Sequence, residues 1–202
     1  MNKTIKDKKE EIIKACTKLY DKENFKDITI KQIAEKTTLS RPSIYNYFET
    51  KEEIFLLMFQ REYEKWTDEL NDILNNYDKL TKEEFASILA HTLENKTRLL
   101  RLLSMNMYDM EENSRMENLV EFKKAYKNAV HTVKLCVKKF FKEKTENELI
   151  NFLYTFFPLM YGIYPYAFLT NKQKEAVKKS GIDFKYFSIY EIAYNGILKL
   201  LN

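Results

Sequence analysis

Glycine and proline are scarce in this chain, which has only three of each among 202 residues. So few turn formers leave little material for the tight connections that many short strands require, and the expectation is an all-α protein. Gly162, Gly181 and Gly196 lie too far apart to make a phosphate-cradling loop, and no nucleophile, base and orienting group cluster along the chain, so no enzyme is expected. Cys16 and Cys136 each sit in an apolar helical stripe, where a free thiol behaves as a small hydrophobe, and a reducing cytoplasm suits them. His91 and His131 have no close His or Cys companion, which gives no basis for a metal site or a cofactor. The N-terminus is charged from the start and has no signal-peptide run. The longest mostly apolar stretch, Phe152 to Leu169, is broken by Pro158, Gly162 and Pro165 and reads as a buried helix, not a membrane span.

A hydrophobic content of 45% is enough for a packed core and argues against disorder. The formal charge is only +4, but residues 1–51 hold twelve basic side chains against eight acidic ones, which accounts for the whole excess. Such a concentration fits an N-terminal segment that meets a polyanion.

Helical spacing of Ile5, Ile12, Ile13, Cys16, Leu19 and Tyr20 defines a first amphipathic helix ending near Lys22. Thr29 and Ser40 are N-cap candidates for two short helices, with Pro42 in the first turn of the second, where its missing N–H does no harm. Thr50 precedes a long helix carrying Phe55, Phe59, Tyr63, Trp66, Leu70 and Leu74 on one side. Thr81 with Glu84 and Thr145 with Glu148 are capping-box patterns. The segment "NMYDMEENS" reads as loop, Ser114 as the cap of a further long helix, and "TNKQKEAVKKSGIDFK" as a polar connection with one helical turn or more. The last helix is apolar on two sides, one more than a monomer needs.

Two short helices joined by "KTTL" have the proportions of a helix-turn-helix, whose second helix enters the DNA major groove. Ile33, Ala34, Leu39, Ile44 and Tyr47 or Phe48 would pin the crossing, leaving Arg41, Pro42, Ser43, Tyr45 and Asn46 facing outward. Arg41 can bond guanine O6 and N7 or hold a phosphate, and Ser43 suits a base edge or a phosphate oxygen. The Pro42 ring suits a thymine methyl, and the Tyr45 hydroxyl the backbone. Thr29 and Lys31 would reach the other strand, and Ser40 and Tyr47 flank the reading surface. Lys51, at the positive end of the following helix, is expected to hold a phosphate.

The stretch "ITIKQIAEKTTLSRPSIYNYFETKEEIF" resembles the DNA-binding domain of the TetR family of bacterial transcriptional regulators, over residues from about 8 to 55. The matching core is an "IA" pair, a turn, then "S", "IY", "YF" and "K". The resemblance implies a helix-turn-helix domain over residues 1–52 and a larger helical effector-binding and dimerisation domain over residues 53–202. It further implies a ligand-responsive repressor acting as a homodimer on a palindromic double-stranded operator, with an interface built from the last two long helices. Phe152, Phe156, Tyr190, Tyr194, Ile197, Leu198 and Leu201 are assigned to that interface. An apolar or aromatic small-molecule effector would sit among Trp66, Met105, Tyr108, Phe122, Tyr126 and Tyr161. One departure from the family pattern is Thr38, which stands where glycine is usual. The rival reading is a DNA-bound structural or cell-division factor of the same fold that answers to no metabolite.

Overall fold

The computed structural model describes residues 3–105 and 107–202, and their regular structure is entirely helical. Contacts divide the chain into two compact units, Met1–Glu62 with Asn106–Tyr126, and Tyr63–Met105 with Lys127–Asn202.

In the first unit, α1 (Lys3–Tyr20) is followed by a short 3-10 turn (Phe25–Asp27), α2 (Ile30–Ala34), α3 (Arg41–Tyr45) and the start of α4 (Lys51–Asn76). α1 buries Ile12, Ile13, Ala15, Cys16, Leu19 and Tyr20, as its spacing predicts, while Ile5 stays exposed. Ile28, Ile33, Ile44, Phe48, Phe55 and Phe59 complete that core, with Tyr20 edge-on to Phe55 at 5.1 Å. Phe48, not Tyr47, fills the interior position after α3. Complete burial of Ile44 makes it the anchor of α3, and truncation to alanine would cost about 2–5 kcal/mol.

The same unit holds α7 (Met107–Glu112) and the beginning of α8 (Met116–Phe140). The loop expected here is therefore a helical turn and a half, seated by the buried Met110; Asn106 lies outside the described residues. Ser114 does not cap α8, because its hydroxyl donates backwards to the carbonyl of Met110 at 2.7 Å and so closes α7.

The second unit contains the C-terminal parts of α4 and α8 together with α5 (Lys82–Glu94), α6 (Thr97–Leu103), α9 (Glu146–Ala167), α10 (Asn171–Ser180) and α11 (Ile189–Leu201). Both capping boxes are formed, Thr81 with Glu84 and Thr145 with Glu148. α9 runs through both Pro158 and Pro165. Each proline removes one backbone donor, but both rings are exposed, and the buried row Phe152, Phe156, Met160 and Ile163 holds the opposite side in place. The polar connection proves to be a full helix, α10, capped by Thr170 with Gln173 and ended by Gly181 at φ 73°.

Candidate nucleic-acid interface

The helix-turn-helix is built from local chemistry. Thr29 accepts the backbone N–H of Gln32 while the Gln32 side chain accepts the N–H of Thr29 at 2.8 Å, so the first turn of α2 is closed by its own residues. Ser40 caps α3 in one direction only, accepting from Ser43 N at 3.3 Å. Pro42 falls in the first turn of α3 as expected. With Ile44 and Phe48 turned inward, Arg41, Pro42, Tyr45 and Asn46 are exposed and Ser43 is half-buried. Tyr45 is 43% exposed despite its large ring, and its hydroxyl accepts from Arg41 Nη2 at 3.5 Å. The two side chains thus form one outward ledge able to present a planar cation and a hydroxyl to a groove. Thr29, Lys31 and Ser40 are exposed, and Tyr47 is half-buried beside them.

The turn joining the two helices needs no glycine, because no non-glycine residue among those described adopts a positive φ. Thr37 closes the end of α2 by donating to the Ala34 carbonyl at 3.0 Å and accepts from Leu39 N at 3.2 Å. Thr38 is held by α1: its N–H donates to the Glu11 carboxylate, and its hydroxyl accepts from Lys8 Nζ at 3.1 Å. The bond from the Thr38 N–H, with the Thr38 hydroxyl and the Lys8 ammonium beside it, holds the Glu11 carboxyl below its usual range. Sequence reading missed Glu11 and Lys8 in this role, since nothing local marks a partner 27 residues away.

Lys51 has a further role that its sequence position does not announce. Its ammonium donates to the carbonyls of Phe25 at 2.8 Å and Ile28 at 3.0 Å, and lies 4.3 Å from the Phe25 ring centroid. Two of its three donors are spent on the chain itself, so it fastens the 25–28 turn to the start of α4 and keeps one donor for another acceptor.

A second feature had no sequence signal. The Glu53 side chain is fully buried and receives Arg115 Nε at 2.7 Å, Arg115 Nη2 at 2.9 Å, the Arg115 N–H at 3.0 Å and the Glu49 N–H at 2.9 Å. Burial by itself would raise the carboxyl, but the Arg115 bonds outweigh it and hold the group down at about 2. Glu53 and Arg115 are 62 residues apart, and only the tertiary fold brings them together.

The six residues assigned to an effector pocket fall in both units, and one of them, Tyr108, is corrected. Tyr108 is 85% exposed and lines nothing enclosed. Trp66 is sealed in the core of the second unit, its indole N–H donating to Thr92 Oγ1 at 2.9 Å and its ring flanked by Phe156 and Phe157. Phe122 is buried against Phe59 at 4.9 Å in the first unit. Met105, Tyr126 and Tyr161 are half-buried. The dimer assignment is corrected in a similar way. Phe152, Phe156, Ile197 and Leu201 are buried inside the protomer, because the stripe of α11 that carries Ile189, Ala193, Ile197 and Leu201 packs within the second unit. Tyr190, Tyr194 and Leu198 are half-buried, and the Tyr190 hydroxyl already pairs with Ser87 at 3.0 Å.

A different apolar surface is open. Tyr154, Tyr166, Ile182, Tyr186 and Phe187 are exposed along α9 and the segment before α11. Between them lies an open cleft of about 520 Å³ lined by Leu159, Gly162, Tyr166, Asp183, Phe184, Lys185, Phe187 and Ile192. Gly196 lets α11 approach α9 closely, since an added Cβ would collide with Leu159. No helix among the described residues is long and apolar enough to cross a membrane.

An exposed, proline-started reading helix braced by two others defines a helix-turn-helix DNA-binding regulator. The profile for bacterial regulatory proteins of the tetR family matches residues 12–58, and that for the tetracyclin repressor-like C-terminal domain matches residues 60–185. The chain belongs to the TetR family of bacterial transcriptional regulators. Among solved structures it is similar to a TetR-family transcriptional regulator from Mesorhizobium loti, at 16% identity and a TM-score of 0.64, covering 99% of this chain and 98% of that one. The fatty acid degradation regulator FadR from Bacillus halodurans matches at 16% identity and 0.60, covering 96% and 97%. Thermus thermophilus FadR, a transcriptional repressor in complex with lauroyl-CoA, matches at 17% and 0.53, covering 96% and 92%. A search by sequence among curated proteins gives no significant match.

Proposed function

We propose that this regulator is a ligand-responsive repressor that binds a two-fold symmetric operator as a homodimer. The observation that carries the reading is the outward ledge of α3, where Arg41, Pro42, Tyr45 and Asn46 stand clear of a core closed by Ile44 and Phe48. Arg41 reads a guanine or grips a phosphate, Ser43 and Asn46 bond base edges or backbone, and Tyr45 braces Arg41 against the groove wall. Thr29 and Lys31 meet the opposite strand, with Ser40 and Tyr47 at the margin of the contact. Two copies of α3 read half-sites about 34–36 Å apart.

The second copy covers the exposed aromatic surface of α9 and the 182–187 segment, including the cleft beside Gly196. An apolar surface of that extent on one face fits a subunit contact. For the effector, a long-chain acyl compound is the first class to test: two of the similar folds are named as FadR regulators, and one of them holds lauroyl-CoA. Ligand and operator then oppose one another through a coupling of about 1–3 kcal/mol.

The test is selection of bound duplexes from a random library by the purified protein at near-physiological salt. A two-fold symmetric motif whose binding is weakened by an acyl compound supports the reading. Recovery of unrelated sequences, with affinity lost steeply as salt rises, would instead favour a DNA-bound structural factor.

A further inference from the structure

α3 is a single turn and a half, too short to fix its own direction, so the angle at which it presents Arg41 and Tyr45 depends on what grips its ends. Its entry is held by the Ser40 cap and by Glu11 on the preceding turn. Its exit, residues 46–50, is held from the junction between α7 and α8. Arg115 Nη2 donates to the carbonyl of Tyr47 at 3.4 Å while the same guanidinium grips Glu53, and Glu53 in turn accepts the N–H of Glu49. Beside this pair, Thr50 Oγ1 donates to the carbonyl of Asn113 at 2.8 Å and accepts from Glu53 N at 3.2 Å. The exit turn of the reading helix and the 113–115 junction are thus one hydrogen-bonded block.

Two considerations say that this block is kept for geometry. An ion pair whose carboxylate is buried contributes less to stability than well-packed apolar side chains of the same volume, because the Glu53 charge must leave water even though Arg115 keeps part of its surface exposed. An arginine at the start of a helix also faces the positive end of the α8 dipole, which disfavours it there. What Arg115 and Glu53 supply, and apolar residues could not, is direction: a planar fork fixed on a carboxylate and on the Tyr47 carbonyl.

We propose that Arg115, through Glu53 and the Tyr47 carbonyl, is a positioning residue that sets the docking angle of α3, so that operator specificity depends on the α7–α8 junction. This rests on α3 being the DNA-reading helix. It also gives the junction, through which the chain enters α8, a direct hold on DNA affinity that does not pass along α4.

The experiment compares full-length wild type with Arg115→Ala, Arg115→Lys, Glu53→Gln and the Arg115→Ala/Glu53→Gln double variant. Lys124→Ala, which removes a surface pair with Glu121 within α8, is the control. Affinity is measured for the selected operator duplex and for a scrambled duplex, alongside helix content. Arg115→Ala should lose about 3- to 30-fold in operator affinity while scrambled-duplex binding stays within about twofold, so the specificity ratio falls. Glu53→Gln should act in the same direction, and the double variant should lose little more than the worse single one. Should Arg115→Ala fail to fold, Arg115→Lys carries the test, since it keeps the charge and loses the fork. A variant that binds the operator as wild type does, or loses specific and scrambled binding equally, overturns the positioning role. A wild-type protein that selects no duplex overturns the reading of α3 itself, and this inference with it.

Discussion

The Lys51 ammonium sits between two carbonyl oxygens, those of Phe25 and Ile28, with the Phe25 ring beneath it. Charge-assisted bonds of this kind contribute about 1.5–3 kcal/mol each at most, and removing the donor leaves the Phe25 carbonyl with the Ile28 N–H alone and takes the ammonium from the Ile28 carbonyl. Lys51→Ala is expected to lower stability by about 2 kcal/mol in urea unfolding, while the slope of log affinity against log salt changes by less than one ion. A slope smaller by one with unchanged stability would return Lys51 to the phosphate surface.

Glu53 makes stability depend on acid. Its carboxyl is held at about 2, so its contribution is complete above the ordinary carboxylate range and is withdrawn as pH falls from about 5 towards 2. Wild type is expected to lose melting temperature steeply over that window. Glu53→Gln should start lower at neutral pH and show a shallower slope, readable by calorimetry at several pH values.

Thr38 tests the turn. Because its backbone is not left-handed, glycine relieves no strain there and adds freedom to the unfolded chain. Thr38→Gly should destabilise by about 0.5–1 kcal/mol, and it also discards the hydroxyl bonded by Lys8. A stabilised variant would show that the turn prefers a left-handed residue after all.

The reading ledge is exposed, so its truncation should spare the fold. Tyr45→Ala and Arg41→Ala are expected to keep wild-type helix content, with Arg41→Ala losing about 1–3 kcal/mol of operator binding and relaxing specificity at one position of each half-site. Unchanged binding in both would place a different surface in the groove.

Tyr154 and Tyr166 are 80% and 64% exposed on α9. The double variant Tyr154→Glu/Tyr166→Glu should sediment as a folded monomer if a second copy covers this face, because charges desolvated at a contact are strongly disfavoured. A dimer that survives the change would move the interface elsewhere.

Signals carried by neighbours in sequence were legible. The caps at Thr29, Ser40, Thr81 and Thr145, the inward row Ile33, Ile44 and Phe48, and the outward row from Arg41 to Asn46 all depend on residues three or four apart. The family profiles agree with the TetR resemblance that this stretch carries. What failed depended on distance along the chain. Nothing near Lys51 announces the carbonyls of Phe25 and Ile28, and nothing near Glu53 announces Arg115. On α11 two apolar stripes compete, and spacing alone does not say which one packs on its own protomer; the one holding Ile197 and Leu201 does. Tyr108 shows the related limit, that an aromatic side chain by itself is no sign of enclosure.

Helix α10 buries none of its residues and is kept helical by its Thr170 cap and by Gly181 at its end. Such a helix opens at little cost, and its row of lysines offers trypsin its preferred sites. It is therefore a place to cut or decorate the protein without disturbing either core, and a fluorophore attached at Ala176 would give operator and effector titrations an optical handle.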